Sequence, residues 1–252
     1  MVLFGLMGLA ACTTTPPSPQ QRLLTSELGA PVVVQGRPIS FVLRAAEGAV
    51  RRLQRFSLRL SSRTRVIIHS DISDFVRATG QTIPSLRAWT TYDEVHLLPP
   101  DTWRQHGPLH AEERLAHELC HAAVYQQLGT KAHARSLRLP RFVFEGICSV
   151  VAGQEARRAP LALIRQRLVE HSVEDLLGND AFADDGAIAY GAAHHLFARW
   201  FELRGAKALL PLLAELSAGK SVEEALGAAP LELLGIAPAP LNEGCNSASQ
   251  AE

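Results

Sequence analysis

The chain lacks any apolar run of the roughly 18 to 20 residues that a membrane-spanning helix requires, which excludes a polytopic channel or transporter. It also lacks a charge of one sign, since 25 Lys plus Arg face 25 Asp plus Glu and the formal charge is zero. A phosphate backbone would find no basic excess to hold it, so nucleic acid is not an expected partner. Lysine is scarce: Lys131, Lys207 and Lys220 stand beside 22 Arg, a compositional habit without functional content. No internal repeat is present. Charged residues are held to 20% while hydrophobic ones reach 47%, with ordinary Gly and Pro, so the 252 residues can bury a core and do not read as disordered. That length fits one domain with trimmings.

The first residues, Met1 to Ala11 (MVLFGLMGLAA), are apolar or small and uncharged, and the chain turns polar at Cys12 (CTTTPPSPQQ). This is the length of a signal-peptide core. Leu9, Ala10, Ala11 and Cys12, LAAC, resemble the lipobox of bacterial lipoproteins, which implies acylation of Cys12, a membrane partner through that lipid anchor, and a location outside the cytoplasm. Each buried methylene of an acyl chain adds about 0.8 kcal/mol of membrane affinity. The organisation expected is a signal peptide over 1–11, the lipidated Cys and a flexible tether over 12–36, one folded domain over 37–236, and a loose tail over 237–252 that holds Cys245.

Within the domain, 41–60 spaces apolar residues at three and four with arginines opposite, an amphipathic helix. Residues 65–69 (RVIIH) read as a buried strand. Asp71 and Gly80 are placed to cap a brief helix, and 87–98 holds two strand segments stopped by Pro99 and Pro100. Helices are then expected over 112–128, 141–156, 161–170, 186–204 and 206–218, with Ser221 and Glu224 as the capping box of one more. Strands come early and helices late, an α+β pattern with a small N-terminal mixed sheet and a mainly helical second half.

The chemistry concentrates in the helix at 112–128, where His117, Glu118, Leu119, Cys120 and His121 form an HExxH. A helix advances about 100° per residue, so His117 and His121 stand about 40° apart, one turn above each other, and both can reach one metal ion. In such sites two His and one further ligand hold Zn²⁺, a water keeps the fourth position, and the Glu takes that water's proton. For a third ligand the chain offers Glu145, 24 positions after His121, in Pro140, Arg141, Phe142, Val143, Phe144, Glu145, Gly146.

LAHELCH followed by PRFVFEGICS resembles the HExxH plus (W/F)xxEG arrangement of the gluzincin metallopeptidases, the thermolysin-like and peptidase-MA-like superfamily. The resemblance covers roughly residues 40 to 235. It implies a zincin-like fold, Zn²⁺ on His117, His121 and Glu145, and Glu118 as general base. Ala189 to Ala193 (AYGAA) resembles the Tyr-bearing helix of the aminopeptidase branch, which implies that the Tyr190 hydroxyl donates to the oxyanion. It further implies that Glu94 to Leu98 (EVHLL) is a sheet edge that pairs with an extended peptide. Ser149 stands where some relatives place an acidic residue that orients a metal-bound imidazole. His96 is expected at the surface, and His194 and His195 in ordinary packing. Cys120 and Cys148 fall where the two metal-bearing helices meet, either as a disulfide clamping them or as two small buried thiols. The function expected is zinc-dependent hydrolysis of peptide bonds, with an endopeptidase favoured because no acidic cluster for a substrate amine precedes the HExxH. The rival is an inactive lipoprotein of the same fold that serves as a binding or assembly module.

Overall fold

The computed structural model describes residues 21–24 and 32–236, apart from 37–38, 83–87, 100–101, 103–107, 132, 134–138 and 185. Cys12, the segment before it, Cys245 and the 237–252 tail lie outside the described residues. Among the described residues no helix is long and apolar enough to cross a membrane.

Among the described residues five strands make one sheet: β1 (Gln21–Leu24), β2 (Val32–Gln35), β3 (Thr64–Ile68), β4 (Ala88–Thr90) and β5 (Glu94–Leu97). Their order is β1-β2-β3-β5-β4. The β2–β3 and β3–β5 pairs are parallel, and the outer pairs β1–β2 and β4–β5 are antiparallel. The architecture is therefore α+β with a small mixed sheet. Two expectations are corrected here. The tether does not extend over 12–36, because Gln21–Leu24 and Val32–Gln35 belong to the sheet; three valines followed by Gln35 are too short a run to mark a strand without their pairing partner. β5 is also not an edge. It lies between β3 and β4, so among the described residues the edge on that side is β4.

The strand period of two gives the sheet two faces. Val32, Val34, Val66, Ile68, Val95 and Leu97 turn one way and are buried. Against that side pack α1 (Ile39–Arg55) and α3 (Pro108–Gln127), which also pack on each other. α1 buries Val42, Ala45, Ala46, Ala49, Val50 and Leu53 at helical spacing, while Arg44, Glu47 and Arg51 stay exposed. The other side meets α2 (Ile72–Thr79), which opens on Asp71, whose carboxylate accepts from the Asp74 amide, and closes on Gly80 in the left-handed conformation.

The second half is helical: α4 (Arg141–Val151), α5 (Leu161–Glu170), α6 (Val173–Leu177), α7 (Ala181–Asp184), α8 (Gly186–Arg204), α9 (Leu209–Ser217), α10 (Val222–Leu226) and α11 (Pro230–Leu233). The Ser221–Glu224 capping box is present at α10. The last turns expected at 152–156 and 56–60 are absent, since α4 stops at Val151 and α1 at Arg55. α8 is the central helix of this half, and α4, α5, α6, α7 and α11 contact it.

One side chain ties the layers that carry the site. Arg52 of α1 donates through Nε to Glu112 of α3 at 2.7 Å and through Nη1 to the Ala152 carbonyl, at the end of α4, at 2.7 Å. Arg52→Met keeps the stem and strands both acceptors in a partly buried place. We expect a loss of about 1–3 kcal/mol, seen as a thermal midpoint several degrees lower by circular dichroism. An unchanged midpoint would mean that Arg52 is not what joins these helices.

Candidate metal centre

α3 and α4 pack together, and their facing turns bring three of the expected residues to one point. His117 Nε2 is 3.1 Å from Glu145 Oε2, His121 Nε2 is 3.1 Å from His117 Nε2, and His121 Nε2 is 3.6 Å from Glu145 Oε2. Their side chains are only 10%, 12% and 12% exposed. Two ring nitrogens and a carboxylate oxygen converge at these separations, so either a ring N–H or a cation bridges them. The electrostatics of the pair agree. Burial holds His117 below the usual imidazole value, and the charge of His121 adds to that. Burial acts in the same sense on His121, but the hydrogen bond and charge of Glu145 outweigh it and raise the value. Burial alone would raise Glu145; the two imidazoles overcome it and hold the carboxyl well below the usual range. The carboxylate thus favours positive charge beside it, and a donor set of two imidazoles and a carboxylate, buried and convergent within 4.8 Å, can hold a metal ion.

Both Nδ1 atoms are buried and have no hydrogen-bond partner among the described residues. The partner expected for one of them does not serve: Ser149 is fully buried, but its hydroxyl joins His194 Nδ1 at 2.9 Å and accepts from Arg158 Nε at 2.8 Å. The physical reason is helical phase. Ser149 is four residues after Glu145 but lies on the face of α4 that meets α8. His194 and His195 are packing residues, His194 against Ser149 and His195 on the Ala159 carbonyl at 3.0 Å. Burial, with the charges of His195 and Arg158, pushes His194 down to about 4.

Glu118 stands outside the cluster and lines a cleft of about 790 Å³ beside it. Its Oε2 accepts from the Thr90 hydroxyl at 2.6 Å. Thr90 pairs with Val95 in the β4–β5 register, which turns it to the same side as the helices and within reach of α3. Tyr190 also lines the cleft, and its hydroxyl accepts from Arg141 Nη2 at 2.9 Å. The same guanidinium places Nε 3.5 Å from Glu145 Oε1. Burial, then the nearby Glu145 charge, raises the Tyr190 phenol above its ordinary value, and it carries its proton at neutral pH.

Thr90 and Arg141 were not assigned a role by the sequence. Arg141 had a readable signal, since it precedes Glu145 by four and so shares its face of the helix. Thr90 had none, because its role depends on which strand becomes the sheet edge.

Two further expectations meet the structure here. Cys120 and Cys148 are both buried and both free, with the Cys120 side chain hydrogen-bonded to Cys148; burial, then that neighbour, pushes the Cys148 thiol well up. They act as small packing groups between α3 and α4 and form no disulfide in this structure. His96 is not at the surface. It is 6% exposed, on the sheet face that α2 covers, with Nδ1 3.0 Å from His69 Nε2 and Nε2 3.1 Å from Glu94 Oε2. Burial, with the His69 and Arg65 charges, pushes it down to about 4.

Compared with protein-family models and with curated proteins, the chain has no match in either.

Proposed function

We propose that this chain is a zinc-dependent peptidase of gluzincin type with a zincin-like fold, hydrolysing peptide bonds outside the cytoplasm while held to a membrane by a lipid on Cys12. The observation that carries the reading is the convergence of His117, His121 and Glu145 at the wall of an open cleft, with Glu118 beside them and outside the ligand set. Zn²⁺ held by those three residues would supply Lewis acidity and a water acidic enough to yield a nucleophile near neutral pH. Glu118 then accepts the proton of the attacking water and returns it to the leaving amine. Thr90 donates to Oε2, and Oε1 is the oxygen that takes the proton. The Tyr190 hydroxyl accepts from Arg141, so its own proton is left to donate to the developing oxyanion. An extended peptide is aligned by the main chain of β4, Ala88–Thr90, the free edge at the cleft.

The test is digestion of a diverse peptide mixture by the full chain with one equivalent of zinc, the cut sites read by mass spectrometry, with and without a chelator. Cutting that the chelator stops and zinc restores is expected. A zinc-loaded chain inert across the whole mixture would overturn the enzyme and leave the binding module.

On the same substrates Thr90→Val should lower kcat by about tenfold, the loss typical of one hydrogen bond to a charged group, with KM little changed. Valine keeps the β-branched shape, and Thr90→Ser should recover most of the rate by restoring the hydroxyl. Equal rates for wild type and the valine variant would remove Thr90 from the site.

A further inference from the structure

Once Glu118 and Glu145 are set aside, the charged side chains that line the cleft among the described residues are of one sign, Lys131 and Arg141. They differ in how far they are already answered. Lys131 is held by Asp93 at 2.9 Å. Arg141 meets its nearest carboxylate, Glu145, at 3.5 Å, a long contact, and its other donation goes to a neutral phenol. The guanidinium is nevertheless fixed in place. It lies 5.1 Å from the Phe182 ring centroid and 5.8 Å from that of Tyr190, and the Arg141 backbone amide donates to Asn179 Oδ1 at 3.1 Å. Its side chain is 43% exposed and lines the cleft.

With a divalent cation on His117, His121 and Glu145, the carboxylate that Arg141 faces would be taken by the ion. Two positive charges from the ion and one from Arg141 then stand against one negative charge each from Glu118 and Glu145, which leaves one positive charge unanswered beside the reacting bond. A planar guanidinium with free N–H groups, already desolvated on one side by two aromatic rings, is the group that a carboxylate binds best.

We propose that Arg141 is a substrate anchor, and that the cleft takes peptides bearing a carboxylate beside the bond that is cut. This rests on the peptidase reading and gives it a substrate class. The carboxylate has two sources, the α-carboxylate of a peptide C-terminus or the side chain of Asp or Glu. Short dansyl-labelled peptides of one alanine-rich sequence separate them: one pair ends in the free acid or the amide, and a second set, amidated throughout, carries Glu or Gln at each position in turn.

Binding is measured by dansyl fluorescence on the zinc-loaded E118Q chain, where no turnover interferes. One acidic member is expected to bind about tenfold or more tighter than its neutral mate, the range of one charge-assisted pair. Arg141→Gln in that background should shrink the ratio to less than about twofold, and Arg141→Lys, which keeps the charge and loses the fork, should fall between. Equal binding of every acidic and neutral pair with Arg141 intact would overturn the proposal, whether or not the variants fold. A fall in affinity that Arg141→Gln imposes equally on acidic and neutral peptides would overturn it too, and would make Arg141 a positioning residue for Tyr190 and Glu145. The two readings fail separately. Wild type that cuts none of these peptides while E118Q still prefers the acid leaves the anchor without the peptidase. Wild type that cuts acid and neutral peptides alike, with no preference in binding, leaves the peptidase without the anchor.

Discussion

Glu118→Gln is expected to lower turnover of any peptide the wild type cuts by roughly 10²–10⁴-fold, the range over which a general base contributes, with zinc content and thermal midpoint unchanged. The separation of effects follows from where the residue stands. Glu118 faces the cleft one position along α3 from His117, but it is not among the three groups whose ligand atoms converge. Gln has the same shape, keeps an oxygen to accept from Thr90, and cannot take a proton from water. Rate, metal stoichiometry and melting temperature measured on one preparation decide the matter. A variant that keeps its rate has another base, and one that loses zinc shows Glu118 to be a ligand. Changing His121 instead should remove metal and rate together, which tells a failed base from a failed site.

Much of this site was legible because it is local. His117, Glu118 and His121 take their relation from the helical repeat alone, and the apolar spacing around them is enough to call for a helix. Asp71 with Gly80 and Ser221 with Glu224 mark helix ends through bonds that span three or four residues, and both pairs behave as the spacing predicts. What the sequence withholds depends on pairing across distance. Val32–Gln35 is four residues in a polar stretch, and only its parallel register with Thr64–Ile67 makes it part of the core. His96 alternates with buried Val95 and Leu97 and so looks solvent-facing; it is buried because α2 returns to cover that side. Ser149 shares a spacing with Glu145 that suits a shared face, yet the packing of α4 on α8 turns its hydroxyl to His194. Thr90 reaches Glu118 only because β4, not β5, forms the edge beside α3. In each case periodicity gives the orientation of a side chain along its own element, and the neighbour it meets comes from chain tens of residues away.

Gly146→Ala should be the most damaging single methyl group in the site, and the reason lies behind the metal ligands. Gly146 follows Glu145 on α4 and faces α8. A Cβ there would stand 2.4 Å from Phe197 Cδ2 and 2.5 Å from the Ala193 carbonyl oxygen. Phe197 is fully buried, and the carbonyl belongs to the backbone of the longest helix in that half, so neither yields without the two helices moving apart. Overpacking of this kind costs about 1–3 kcal/mol, which lowers the thermal midpoint by roughly 2–12 °C in a domain of this size. The displacement falls on α4, while His117 and His121 remain on α3. Glu145 is therefore drawn away from two ligands that stay in place, and zinc affinity should fall by about tenfold or more, comparable with the loss of a group that orients a ligand. Competition with a chromophoric chelator measures it. Gly186→Ala supplies the contrast: its added Cβ comes no closer than 3.7 Å to Tyr190, an ordinary contact, so stability should be unchanged or slightly raised by the better helix former. If Gly146→Ala melted and bound zinc as the wild type does, α4 and α8 would not be in the close contact that seats Glu145, and the carboxylate would have to reach the two imidazoles from some other path of the chain.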